Sequence, residues 1–322
     1  MLDLYILLVL QAIREGAGAC LTDFFLKMSF IGQTDTIFIM MAVIYWCISK
    51  RFGTFLLFGW AWNRILNGFL KVTACEYRPW IRDPAIIPDS EAVAAATGYS
   101  FPSGHSMSAA SVFGGVAVAK HLDTILRIGG CLVLILIMFS RLWLGVHVPQ
   151  DVIVGAVVGC IVMFAVYKLL PIIDDNKNAD IIVAVVSIII AVAVAIYATF
   201  KAYPVDYDAT GKVLVEGAKM AKDTFMCVGW NIGFFVSWVI ERRFVKFNDG
   251  KNIQQRALRL LFGVLSLYAV DLIIGNSINA AIGGALGIIF QCALEMVYVV
   301  LIFPLIFNFF EKRSENKAVA SN

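Results

Sequence analysis

Apolar residues along this chain gather into runs of membrane-spanning length rather than short core segments. A helix needs about 20 residues to cross a hydrocarbon layer of about 30 Å, and lipid offers no partner to an unpaired backbone group, so runs of this length predict transmembrane helices. Nine such runs cover 34–50, 54–72, 102–121, 124–146, 149–170, 180–200, 224–240, 257–277 and 284–310. Ahead of them, residues 1–33 set Arg14, Glu15, Asp23 and Lys27 among apolar clusters, a pattern that suits an amphipathic segment lying in the membrane interface. Residues 311–322 are polar and read as a mobile tail. The pattern therefore predicts an all-α, polytopic transmembrane helix bundle.

Composition agrees: of 322 residues, 60% are hydrophobic and only 15% charged. The net charge of +3 is too small to suggest a nucleic-acid partner, and no basic patch stands out. What informs is where the cations fall. Lys50, Arg51, Lys120, Arg127 and Lys168 end up on one side of the predicted spans, together with Arg242, Arg243, Lys246, Lys251, Arg256, Arg259, Lys312 and Arg313. By the positive-inside rule that side is cytoplasmic. The stretches 73–101, 147–149 and 201–223 fall on the opposite, extracytoplasmic side. The seven cysteines are scattered through apolar segments, with neither a metal-type pair nor a disulfide framework, and read as small buried residues. Residues 1–10 lack the basic start and cleavage site of a signal peptide and are expected to remain in the mature protein.

Three polar clusters sit at extracytoplasmic span ends, where an ionisable group beside lipid is by default a functional candidate. The first runs from Lys71 to Arg78-Pro79, the second is Pro102-Ser103-Gly104-His105, and the third joins Ser140-Arg141 to His147 and Asp151. Pro102 suits a first helical position, so Ser103 and Gly104 are expected to present free N–H groups at a helix start, the arrangement that binds anions. Gly104 permits close backbone approach and the Ser103 hydroxyl adds a donor. Lys71, Arg78 and Arg141 supply three cations, the two guanidinium forks matching phosphoryl oxygens. These five residues form the expected phosphate-binding set.

His147 precedes Pro149 and should lie just outside the next helix, with Asp151 four residues on in its first turn. There the carboxylate can hold Nδ1–H and leave the Nε2 lone pair for attack on phosphorus, the logic of an oriented nucleophile. His105 is then placed to protonate the leaving oxygen and later to activate water. The third histidine, His121, lies at the other end of its span and reads as a cap. No metal site and no cofactor are expected. Asn63, Arg64 and Asn67 on the helix leading to Lys71 read as helix-to-helix hydrogen bonding, with an extension of the pocket as the alternative. So do Asp271, Asn276, Asn279, Gln291 and Glu295 in the last spans, where Gly283, Gly284 and Gly287 permit close packing and a homodimer contact or a lateral lipid groove are the alternatives.

The signature Lys71…Arg78-Pro79, Pro102-Ser103-Gly104-His105 and Ser140-Arg141…His147…Asp151 resembles that of the type 2 phosphatidic acid phosphatase superfamily at every signature position. The resemblance implies a six-helix phosphatase core over 34–200, an extracytoplasmic active site, metal-independent hydrolysis through a phosphohistidine, and the same roles for His147, Asp151 and His105. Residues 201–310 then add a loop and three further spans, a layout similar to the sphingosine-1-phosphate phosphatase and glucose-6-phosphatase branches. The expected substrate is a lipid phosphate monoester or diphosphate: a polyisoprenyl diphosphate, a phosphatidate or a sphingoid phosphate. A phosphatase for a soluble sugar phosphate is one alternative, and a transporter using Asp271 and Glu295 is another of a different class.

Overall fold

The computed structural model describes residues 2–96, 98–208 and 210–320, the last seven by backbone alone. Apart from one isolated antiparallel bridge, Tyr207–Val213, the regular structure among them is helical. Two N-terminal helices, α1 (Leu2–Ala17) and α2 (Ala19–Ile31), lead to α3 (Thr34–Ile48) and α4 (Lys50–Ala74). Two short helices, α5 (Pro79–Arg82) and α6 (Ser90–Ala94), occupy the following loop, before α7 over 104–118. Then come α8 (Thr124–Trp143), α9 (Pro149–Asp175), α10 (Ala179–Phe200), α11 (Gly217–Val245), α12 (Ile253–Ile282) and α13 (Gly284–Arg313).

Among the described residues, α8 to α13 are the six helices long and apolar enough to cross a membrane. A seventh crossing arises if α2 and α3, bent by 57° where they meet, count as one broken span. That differs from the nine predicted spans for identifiable reasons. Helix α4 is long, but Lys50, Arg51, Asn63, Arg64, Asn67 and Lys71 make it polar; α7 is a short succession of α, π and α turns. The N-terminal segment is also more than an interfacial helix. Its polar groups bond to protein: Arg14 donates to the carbonyls of Trp143 (3.0 Å) and Ile87 (2.5 Å), and Asp3 accepts from Arg82 (2.8 Å). At the far end the backbone stays helical to Ala320, and the last two tail residues lie outside those described.

The chain divides into two compact units. One comprises 1–38, 62–169 and 194–224. It is held by clusters such as Phe25, Ala92, Trp143 and Val146, and Ala109, Leu134, Ile137 and Ala156. All three polar signature clusters lie in it.

The other unit comprises 39–61, 170–193 and 225–322. Helix approach there relies on small residues: a Cβ on Gly229 or Gly233 would come within 2.4 Å of the carbonyl oxygen of Ile289 or Ala293. Its buried charges are paired, Lys50 with Glu241 (2.6 Å) and Arg259 with Glu311 (2.8 Å). The polar residues of the last helices bond within the chain, Gln291 to Asp271 (3.1 Å) and Trp230 to Glu295 (2.7 Å). Gly287 packs tightly against Asn279, whereas Gly283 and Gly284 meet nothing within 4 Å. Their φ values of +70° and +57° instead make the turn between α12 and α13, a conformation that favours glycine.

Candidate active site

Lys71 sits three residues before the end of α4, where Cys75 takes a left-handed φ of +52° and stops the helix. Its Nζ donates to the carbonyl of Tyr99 (2.7 Å). Arg78 caps α5, with Pro79 in the first helical position where a missing N–H costs nothing. Buried there, it donates from Nε to the Gly98 carbonyl (3.0 Å) and from Nη1 to the Val146 carbonyl (3.0 Å). Nη1 also lies 2.8 Å from His147 Nε2. Burial lowers the Arg78 pKa to about 10, which leaves it cationic at neutral pH.

The cradle differs from expectation in two respects. Helix α7 begins at Gly104 with Ser103 as its N-cap, so Pro102 precedes the helix instead of opening it. The Ser103 N–H is not free either, because it donates to the backbone carbonyl of Asp151 (3.0 Å) and ties α7 to α9. The Ser103 hydroxyl accepts from the Ser106 N–H (3.4 Å) and keeps its own proton to donate. Gly155 on α9 makes this crossing tight, since a Cβ there would lie 2.8 Å from the Ser103 carbonyl oxygen. A Cβ on Gly104 would lie 3.3 Å from Asn67 Oδ1 and 3.9 Å from Arg64 Nη1, so the α4 polar face borders the cradle. Asn67 Nδ2 bonds to the Pro102 carbonyl (3.2 Å), and Asn63 Nδ2 to the Ser111 hydroxyl (2.8 Å).

Helix α8 ends at a turn in which Gly145 has φ +71°. His147 follows, buried, with Nδ1 3.1 Å from Asp151 Oδ2. The same carboxylate oxygen accepts from the Ser100 hydroxyl (2.5 Å) and the Val148 N–H (3.2 Å). A carboxylate cannot donate, so Nδ1 carries the proton in this network and Nε2 accepts from Arg78. The Nε2 lone pair is thus occupied by the Arg78 donor rather than free. Burial first, then the charges of Arg78, Arg141 and Lys71, hold the His147 pKa well below the ordinary imidazole value.

Arg141 is fully buried at the end of α8, with Nη1 donating to the Ser29 hydroxyl. His105 stands one residue into α7, its Nε2 buried with no hydrogen-bond partner among the described residues. The charges acting on it are, in descending order, those of Arg141, His147, Arg78 and Lys71. Among the described residues, no group of three or more His, Cys, Asp or Glu side chains is arranged to hold a metal ion. Trp80 lies beside Arg78, its ring centroid 5.9 Å from the guanidinium carbon.

Two participants escaped the sequence reading. Ser100 touches the carboxylate that faces His147 but falls outside the spaced signature. Ser29 lies on an apolar N-terminal helix with no local mark of chemistry.

Comparison with known proteins adds family membership. Residues 52–175 match the PAP2 superfamily, and residues 225–315 match the PAP2 superfamily phosphatase transmembrane extension. Phosphatidylglycerophosphatase B of Bacillus subtilis (strain 168) is 32% identical over 123 residues, which is 35% of this chain and 56% of that protein. The chain therefore spans about half the length of that curated relative. The crystal structure of a transmembrane PAP2-type phosphatidylglycerolphosphate phosphatase from Bacillus subtilis aligns over 53% of this chain and 87% of that one, at 25% identity and a TM-score of 0.41. With the two family matches on either side of residue 200 and the helices described above, this chain is a multi-pass integral membrane protein that belongs to the PAP2 superfamily.

Proposed function

We propose that this protein is a membrane phosphatase that cleaves a lipid phosphate through a covalent phosphohistidine on His147. The observation that carries the reading is the buried His147 imidazole held between Asp151 and Arg78, in the electrostatic field of Lys71 and Arg141. When substrate arrives, a phosphoryl oxygen takes over the Arg78 Nη1 donor and releases the Nε2 lone pair. Nε2 attacks phosphorus, the bond from phosphorus to the leaving oxygen breaks, and His105 supplies the proton that oxygen needs. Lys71, Arg78, Arg141, the Ser103 hydroxyl and the Gly104 N–H neutralise charge on the equatorial oxygens, which is where catalysis of phosphoryl transfer chiefly resides. His105 then takes a proton from water, the hydroxide attacks phosphorus, and the P–N bond breaks to release inorganic phosphate. Asp151 holds Nδ1–H throughout and stabilises the imidazolium character of the intermediate.

The substrate proposed is a phosphate or diphosphate on a lipid anchor, because Arg141, His147 and Asp151 lie where the membrane-spanning helices α8 and α9 meet. Phosphatidylglycerophosphate joins the candidates through the name of the Bacillus relative. The site faces the extracytoplasmic side, opposite the basic segment from Arg242 to Arg259. Support for a transporter is weak, since Asp271 and Glu295 each accept a hydrogen bond from within the chain.

The test is phosphate release by full-length protein in detergent, across phosphatidate, phosphatidylglycerophosphate, a polyisoprenyl diphosphate, a sphingoid phosphate and a hexose phosphate. Lipid phosphates should be hydrolysed in preference to the hexose phosphate, and His147→Ala should release none. A His147→Ala protein as active as the wild type would sink the reading.

A further inference from the structure

Arg141 presents two different edges. Nη1 is bonded to the Ser29 hydroxyl, whereas Nε and Nη2 are buried and have no hydrogen-bond partner among the described residues. In a planar guanidinium those two nitrogens direct parallel N–H bonds from one side, the fork that grips two oxygens of a phosphate. A buried cationic edge left unpaired is costly, so its persistence in a fully buried residue points to a ligand that completes it. The fork belongs to the centre described above: Arg141 is the strongest charge acting on His105 and follows only Arg78 in acting on His147.

The partner of the opposite corner comes from an unexpected element. Ser29 is 4% exposed and lies on α2, outside both segments that match the family. Arginine has no acceptor, so a tether for Nη1 must supply a lone pair, and a serine oxygen does so without adding charge. Helix α2 reaches the site closely enough to act in this way. A Cβ placed on Gly32, which caps α2 one turn beyond Ser29, would lie 2.6 Å from Ile137 Cγ2 and 3.6 Å from His105 Cδ2.

We infer that Ser29 is a positioning residue of the phosphate site, its hydroxyl fixing one corner of the Arg141 guanidinium so that the Nε–Nη2 edge faces the phosphoryl group. The inference rests on the phosphate-site reading above. It extends the working site to an N-terminal helix and assigns that helix a part in anion binding. Without the hydroxyl the guanidinium loses its one hydrogen-bond partner among the described residues and turns to find another, and the fork no longer meets the anion in register.

The test measures inorganic phosphate binding by calorimetry on detergent-purified full-length protein, alongside turnover of micellar phosphatidate. Ser29→Ala should weaken phosphate binding about tenfold, the scale of one hydrogen bond to a charged group. Ser29→Thr should restore most of that loss, while the isosteric Ser29→Val should not, a comparison that also serves if the alanine variant fails to fold. In an Arg141→Ala background, Ser29→Ala should have no further effect, because its role runs through that guanidinium. Equal phosphate affinity in the Thr and Val variants, additive effects of Ser29→Ala and Arg141→Ala, or wild-type protein that binds no phosphate would each overturn the inference. Failure of the phosphatase reading appears elsewhere, as turnover that survives His147→Ala.

Discussion

At the residue scale the centre depends on one carboxylate oxygen with three neighbours. Asp151 Oδ2 accepts from Ser100 and Val148 and faces His147 Nδ1. Asp151→Asn preserves shape but offers the imidazole an amide that favours the wrong tautomer. Turnover should fall on the order of 10³- to 10⁴-fold with the melting temperature little changed, as steady-state kinetics and thermal unfolding would show. Ser100→Ala removes one restraint and leaves the histidine in place, so a milder loss, about tenfold in kcat, is expected. The cations add a pH signature. In the proposed mechanism His147 attacks only when neutral, and burial together with Arg78, Arg141 and Lys71 lowers its pKa. Protonation therefore sets in below the ordinary imidazole value of about 6.5, and the acid limb of kcat/KM should lie beneath it. Arg78→Gln removes the largest of the charge contributions, so whatever activity remains should show its acid limb moved to higher pH. An acid limb that stays put, or moves down, would contradict this account.

At the scale of elements, the site is built where helix ends meet, and one crossing governs it. Helix α7 is held to α9 by the bond from the Ser103 N–H to the Asp151 carbonyl (3.0 Å), beside Gly155. A methyl group at Gly155 would stand 2.8 Å from the Ser103 carbonyl oxygen, closer than real Cβ contacts allow. Gly155→Ala should therefore push the cradle away from Asp151, costing about 1–3 kcal/mol of stability by overpacking. Thermal unfolding would register the loss and phosphate titration the weaker binding; unchanged values in both would show that the crossing is not critical. The spaced signature from Lys71 to Asp151 was legible in the sequence because its residue types and intervals are local. Neither the bond that occupies the Ser103 N–H nor the Arg78 donor on Nε2 was legible, since each partner arrives from another element. The same holds for Gly283 and Gly284, which look like packing residues until their positive φ shows them turning the chain.

At the scale of the molecule, the proposed orientation carries its own test. If the site faces outward, the loop between α10 and α11 lies outside the cell and the basic loop between α11 and α12 inside. In a cysteine-free background, Asp206→Cys should react with a membrane-impermeant maleimide in intact cells. Lys251→Cys should react only after permeabilisation, and the reverse pattern would invert the topology. The predicted spans and the described helices agree on the six from α8 onward, where apolar character is continuous. They part at α4 and α7, whose polar and short stretches carry the candidate residues Lys71, Gly104 and His105.

Helicity, membrane embedding and the PAP2 signature could all be read from the linear order of residues, because hydropathy and motif spacing are properties of contiguous stretches. The folded chain was needed to see that α2 delivers Ser29 to Arg141, that Arg78 holds the lone pair of His147, and that Ser100 joins Asp151. Ser29 and Arg141 are 112 positions apart, Arg78 and His147 69, and Ser100 and Asp151 51. Spacing along a chain cannot specify such partners; the packing of helices against one another does.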